Sequence, residues 1–153
     1  MKVAHYLEML RKANLKVTPK REAIIRFFLQ KGRYFTPEEV WITLKRRFRK
    51  LGFPTIYRNL RELEEIGILV RISRPDQRLY YAICRLGKER EHHHFICQRC
   101  GRVSEVEFCN FKDIAKDIER ELGCKITSHF MQIEGFCSEC RQKVKARWIR
   151  WEG

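Results

Sequence analysis

The chain has 153 residues, 44% apolar and 12% aromatic, enough for one domain or two small ones around a packed core. No apolar run approaches the roughly 20 residues of a membrane helix, and the amphipathic start MKVAHYLEMLRK lacks a signal-peptide pattern. A soluble cytoplasmic protein is therefore expected, with no membrane partner. The net charge of +14 is lopsided: residues 1–84 hold 19 Lys and Arg against 8 Asp and Glu, whereas residues 85–140 hold 9 against 10. A solubilising surface is the plain reading, but a basic half joined to a near-neutral half points to a polyanion as partner.

In chain order, residues 4–15 read as a helix with Tyr6, Leu7, Leu10 and Ala13 on one side. The next opens at Thr18-Pro19, a Thr N-cap with Pro at the first helical position, and runs through Ile24, Phe27 and Phe28 to Gly32. A third opens at TPEE, where Thr36 caps and Glu39 completes a capping box; Val40, Leu44 and Phe48 form its stripe. After the break at LGF, PTIYRNLRELEEIG begins a fourth. There Ile56, Leu60 and Leu63 pack, while Thr55, Arg58 and Arg61 face away and Tyr57 is placed less securely. ILVRIS and RLYYAI, joined by RPDQ, read as a hairpin carrying Arg74 and Arg78. Four helices and a basic hairpin describe a winged helix-turn-helix, its fourth helix in the major groove. The competing reading is a small helical domain whose arginines are merely solvated.

CRLGKERE (84–91) reads as a linker. The unit beyond it begins strand-like, continues as a helix with the stripe Phe111, Ile114, Ala115, Ile118 and Leu122, and ends with a strand in KITSHFMQIEGFCSEC. At about 50 residues such a unit usually needs a metal or a second copy to be stable.

Seven cysteines, an odd number, favour metal ligation or buried thiols over disulfides. Cys97-x-x-Cys100 and Cys137-x-x-Cys140 each present two thiolates from one turn, and together fill a tetrahedral structural zinc site. A redox pair or reduced buried thiols are the alternatives. The histidines of HHHFICQRCG are then left over. In an extended strand His92 and His94 face one way and His93 the other, alongside Glu91. Cys84 admits a bland reading as a small buried hydrophobe, and Cys109 and Cys124 read as core cysteines.

LKVTPKREAII, FPTIYRNLRELEEIGIL, HHHFICQRCGRV and ITSHFMQIEGFCSEC, in that order, resemble the ferric uptake regulator family over residues 10–140. The resemblance implies an α+β protein with a winged-helix DNA-binding domain (1–84) and a hinge (85–91). A small α/β dimerisation and metal-sensing domain (92–140) would follow, stapled by the four-cysteine zinc, then a basic tail (141–153). It also implies a sensor site across the hinge that locks the dimer in a DNA-gripping arrangement. Cys97, Cys100, Cys137 and Cys140 match the structural ligands. His92, His94 and Glu105 match sensor positions, and Glu91, His93 and His129 match a further dimer-domain site. Two positions depart from the pattern. Tyr34 stands where iron and peroxide sensors carry a histidine, and Lys112 stands for the third site's glutamate, leaving Asp113 or Glu107 as substitutes. Cys84 resembles the sensor cysteine of zinc uptake regulators, and sulfur with imidazole favours Zn²⁺ over Fe²⁺ or Mn²⁺. Asp76 is the weaker alternative to Glu105.

The function expected is a metal-responsive repressor, zinc-sensing, that binds palindromic double-stranded operator DNA as a metal-loaded homodimer. Thr55, Tyr57, Arg58 and Arg61 would reach bases or the groove wall, and Lys16, Lys20 and Arg21 phosphates. An iron- or peroxide-sensing relative is the alternative within the family, with Fe²⁺ or Mn²⁺ as regulatory metal. A constitutive zinc-stapled nucleic-acid-binding module is the alternative outside it. A zinc enzyme with a small organic substrate is not expected, since neither H-E-x-x-H nor a deaminase signature occurs. The tail, with Val144, Trp148 and Trp151 among basic residues, is expected to pack on the dimer rather than bind nucleic acid.

Overall fold

The computed structural model describes residues 3–87 and 91–143. The expectation for the tail falls on residues 144–153, outside that range.

Helix α1 (Val3–Lys12) buries Tyr6 and Leu10. Helix α2 (Pro19–Lys31) starts where Thr18 Oγ1 accepts the Arg21 N–H, and stops at Gly32 in the left-handed region (φ 61°). Helix α3 (Pro37–Lys45) carries the expected capping box: Glu39 N–H donates to Thr36 Oγ1 at 3.3 Å, and Thr36 N–H to Glu39 Oε2 at 2.8 Å. Thr36→Ala removes Oγ1, leaves the Glu39 N–H without its cap, and is expected to lower stability by about 0.5–2 kcal/mol, read from urea unfolding. Helix α4 (Phe53–Glu65) buries Ile56, Leu60 and Leu63 completely, on the spacing that sequence periodicity predicts.

Strands β1 (Leu69–Ile72) and β2 (Tyr80–Ile83) pair antiparallel as the wing, with Phe35 bridging to Tyr81 on the other edge. Phe27, Phe28 and Phe35 stack among one another at the centre of the core that α1–α4 and the wing enclose.

Beyond residue 91, β3 (His93–Cys97) is the middle strand of three. It is antiparallel to β4 (Val103–Val106) and parallel to β5 (Gln132–Gly135). Helix α5 (Phe111–Leu122) connects β4 towards β5 and ends at left-handed Gly123. A final turn, α6 (Ser138–Arg141), carries Cys140. The strand expected from Lys125 forms only from Gln132; residues 123–131 are irregular. No described helix is long and apolar enough to cross a membrane.

The wing does not stand free. Ile72 and Ala82 bury against Ile96 of β3 in a second small core, flanked by Tyr34, Val70, Tyr80 and Val103. Around it the Gln132 side chain grips the wing backbone, accepting the Ser73 N–H at 3.0 Å and donating to the Ser73 carbonyl at 2.7 Å. Arg74 pairs with Glu134 at 3.2 Å and lies over the Tyr34 ring. Tyr34 N–H donates to the Gly101 carbonyl at 3.1 Å. Gly101 sits at φ 72°, and a Cβ there would come within 3.3 Å of the Tyr34 ring, so this contact requires glycine.

Candidate metal centre

Among the described residues three groups of potential ligands assemble, all touching β3 or its ends. The first joins Cys97 and Cys100, at the turn after β3, to Cys137 and Cys140 around α6. Donors bound to one tetrahedral ion at about 2.0–2.3 Å stand about 3.3–3.8 Å apart. Cys100 Sγ and Cys137 Sγ are 3.8 Å apart, which suits two thiolates on one zinc, and all seven cysteines are free thiols. Burial alone would raise the Cys97 thiol, but the N–H groups of Cys137, Cys100 and Arg99 outweigh it and lower its pKa to about 6. Burial and three neighbouring sulfurs push Cys140 the other way, to about 12. A bare cluster thus ionises in part; holding four thiolates together needs a cation.

The second group lies where the wing meets the linker. Cys84 follows β2, and its Sγ is 3.2 Å from His92 Nε2. His92 and His94 share one face, with ring centres 4.8 Å apart. His94 is buried, and its Nε2 has no hydrogen-bond partner. Burial, with the neighbouring His92, lowers its pKa to about 4, so the ring is neutral and keeps a lone pair for a metal. Burial likewise raises the Cys84 thiol, against the N–H groups of Leu86 and Gly87. Two imidazoles and one sulfur with an unsatisfied buried nitrogen fit a bound metal ion.

Glu105 pairs across from His94 in the sheet register, but its Oε1 accepts the Arg85 N–H at 2.8 Å and lies outside the cluster. Asp76 is farther from expectation. It accepts from Tyr80 Oη at 2.7 Å and from Arg78 N–H, contacts that hold its carboxyl below the usual range and commit it to the wing turn. Sequence periodicity places Tyr6 in the core but does not reveal what it faces. Its buried hydroxyl lacks a partner; burial raises its pKa to about 12, and Arg85, Glu105 and Cys84 lie near enough to influence it.

The third group is His93, Cys109 and His129. Contrary to the expectation of core cysteines, Cys109 is only partly buried and Cys124 is exposed. Glu91 stands 3.7 Å from His129 Nε2. Neither Glu107 nor Asp113 joins the group. Asp113 pairs with Lys116 on the exposed side of α5.

A separate basic groove brings Lys16, Lys20, Thr55 and Arg58 together between the α1–α2 loop and the start of α4. Tyr57 opens on the other side of α4, towards Arg78 of the wing. Arg61 is exposed and pairs with Glu65. Arg21 lines the same basic groove, with its guanidinium bound to Glu62 of α4 and to the Lys16 carbonyl at 2.6 Å and 12% of the side chain exposed. Arg21→Ala should therefore lower thermal stability and leave the salt dependence of DNA binding nearly unchanged. Lys20→Ala should flatten that dependence by about one unit of log–log slope, in fluorescence-anisotropy titrations across salt.

The ferric uptake regulator family model matches residues 12–134. The chain belongs to the ferric uptake regulator family. The ferric uptake regulation protein of Bacillus subtilis (strain 168) is 31% identical over 137 residues, covering 89% of this chain and 92% of that protein. The peroxide-responsive repressor PerR of Staphylococcus aureus (strain Mu50 / ATCC 700699) is 29% identical over 145 residues, covering 92% and 95%. Among solved structures, a zinc uptake regulator complexed with zinc and DNA superposes with a TM-score of 0.74 at 22% identity, covering 92% of this chain and 93% of that one. Members of the ferric uptake regulator family are DNA-binding transcription regulators, not enzymes, and this chain is one of them.

Proposed function

We propose that this chain is a cytoplasmic zinc-sensing repressor that binds a palindromic operator as a metal-loaded homodimer. The observation that carries the reading is the sulfur of Cys84 beside His92 and His94, at the junction between wing and linker. Sulfur with imidazole suits Zn²⁺ better than Fe²⁺ or Mn²⁺. Tyr34, at the histidine position of the iron and peroxide sensors, is spent on packing against Tyr80 and Gly101.

Zinc at this site would supply a shared positive centre for one thiolate and two imidazoles, with Glu105 as fourth donor once it leaves Arg85. Cys84, drawn onto that centre with His92 and His94, ties the end of β2 to the start of β3 and so fixes the DNA-binding domain (1–84) against the C-terminal domain (92–140). Cys97, Cys100, Cys137 and Cys140 would hold a structural zinc that keeps the C-terminal domain in shape. Ile114 and Leu122 of α5, with Phe108 and Phe130, are exposed and offer an apolar surface to a second copy. The two-fold symmetry of such a dimer calls for a palindromic site. Arg58, Thr55, Tyr57 and Arg61 would then meet the major groove, with Lys16 and Lys20 on phosphates. The gain in DNA affinity is bounded by the metal's preference for the closed arrangement.

Operator titrations with Zn²⁺, Fe²⁺ and Mn²⁺ under reducing conditions, on wild type and Cys84→Ser, test the reading. Zinc should raise wild-type affinity at the lowest free concentration, and Cys84→Ser should blunt that response without losing the four-cysteine zinc. A Cys84→Ser response equal to wild type removes Cys84 from the sensor. Affinity indifferent to every metal would make the chain a constitutive module.

A further inference from the structure

We propose that Tyr6 of helix α1 is a positioning residue of the hinge site, its hydroxyl donating a hydrogen bond to the Glu105 carboxylate when zinc is bound, a role that rests on the hinge cluster being the zinc sensor. Tyr6 is fully buried, yet among the described residues its Oη finds no hydrogen-bond partner. Buried polar groups are nearly always paired, because an unpaired one gives up water and gains nothing for it. The ring sits in the apolar core of the N-terminal domain, a place that phenylalanine would fill as well. A hydroxyl kept there needs an acceptor in another arrangement of the molecule.

The surroundings of the hydroxyl name that acceptor. Burial is the main influence on its ionisation, and Arg85, Glu105 and Cys84 are the groups close enough to add to it. Helix α1 also lies against the linker, where a Cβ on Gly87 would stand 3.5 Å from Met9 Cε, three residues on from Tyr6. The Arg85 side chain has only donors to offer, and the Cys84 sulfur is a weak acceptor. Glu105 is left. Its Oε1 accepts the Arg85 N–H at 2.8 Å, and it stands across the sheet from His94.

Once Glu105 turns from Arg85 towards Cys84, His92 and His94, one of its oxygens serves the ion and the other can take the Tyr6 proton donor. A donor on that second oxygen fixes the rotation of the carboxylate and so the direction of its ligating lone pair. The contact also gives the hinge a route to the DNA-binding surface. Leu15 N–H donates to the Leu10 carbonyl at 2.8 Å, so the loop carrying Lys16 into the basic groove is tied to the end of α1. Zinc at the hinge thereby steadies, through Tyr6, the helix that positions Lys16.

The test uses the full chain with its four-cysteine site filled by zinc, and Tyr6→Phe, which removes the hydroxyl alone. Before further zinc is added, Tyr6→Phe should melt at or above the wild-type temperature, since it loses only an unpaired buried group. Zinc competition against a chromophoric chelator should then show the hinge ion, identified as the one that Cys84→Ser loses, held about 10-fold more weakly than in wild type. In a Glu105→Ala background the same substitution should change zinc affinity no further. Zinc should raise the hydrogen-exchange protection of α1 in wild type, and less so in Tyr6→Phe. Wild-type zinc affinity in Tyr6→Phe, a lower melting temperature before zinc is added, or an undiminished effect in Glu105→Ala each overturns the inference. Cys84→Ser that binds zinc as wild type does defeats the hinge reading itself, whereas zinc loss in Cys84→Ser beside an unchanged Tyr6→Phe defeats this inference alone.

Discussion

Cys140→Ser is expected to cost the chain one zinc ion and the cooperative fold of residues 92–143, while α1–α4 and the wing remain folded. The asymmetry follows from what each part buries. Tyr6, Leu10, Ile24, Phe28, Ile56, Leu60 and Leu63 are all fully buried in the N-terminal core. Among the described residues beyond 91, only Ile96, Cys97 and Cys140 are buried apolar side chains, and two of those belong to the four-cysteine cluster. Zinc on four such ligands is worth about 10–16 kcal/mol of apparent binding free energy near neutral pH, all of it folding free energy when the unfolded chain has no site. A core of one isoleucine does not replace that. Cys140 is the telling position because it is the cluster member carried by α6 and is itself buried. Metal content by mass spectrometry of the intact protein, with a thermal melt before and after chelation, checks the outcome. A single unchanged transition with zinc absent would show that the sheet stands without its metal.

The features legible in the sequence are those with a local cause. Thr18-Pro19 and Thr36-Pro37 mark helix starts because the cap oxygen, the missing proline N–H and the Glu39 carboxylate act within one turn. The division of His92 and His94 from His93 follows from strand alternation, and the structure keeps it. Paired C-x-x-C motifs announce their cluster because each turn already brings two sulfurs together.

Features that depend on distant partners were not legible. Nothing around Cys109 marks it as a neighbour of the histidines; it meets His129, 20 positions later, only through the fold of the α5 segment. The α5 stripe is periodic, but periodicity shows which side is apolar and not whether this protomer covers it, and Ile114 is 54% exposed. Arg21 reads as a free cation until α4 places Glu62 against it. Residues 123–131 have strand-like composition yet find no partner on the sheet before Gln132, where pairing with β3 begins.

Docking of the wing is the consequential feature of this last kind, and it sets up the second large effect. Gln132→Ala combined with Arg74→Ala is expected to raise the free zinc needed for operator binding, with all metal ligands intact. Gln132 makes two hydrogen bonds to the Ser73 backbone, and Arg74 pairs with Glu134 in partial shelter from water. Net contributions of about 0.5–1.5 kcal/mol per hydrogen bond make the Ser73 pair alone worth about 1–3 kcal/mol. A change of about 1–3 kcal/mol moves the balance between docked and undocked wing roughly 5- to 150-fold. If the hinge ligands also favour the docked wing, both act on one equilibrium, and weakening the first must appear as weaker apparent zinc binding by the second. At saturating zinc much of the operator affinity should return, because the ligands then offset the lost contacts. A base-contact variant such as Arg58→Ala should instead lose affinity at every zinc concentration. Zinc titrations read by operator anisotropy separate these patterns, and an unchanged zinc midpoint in the double variant would mean that wing docking and the hinge site are not coupled.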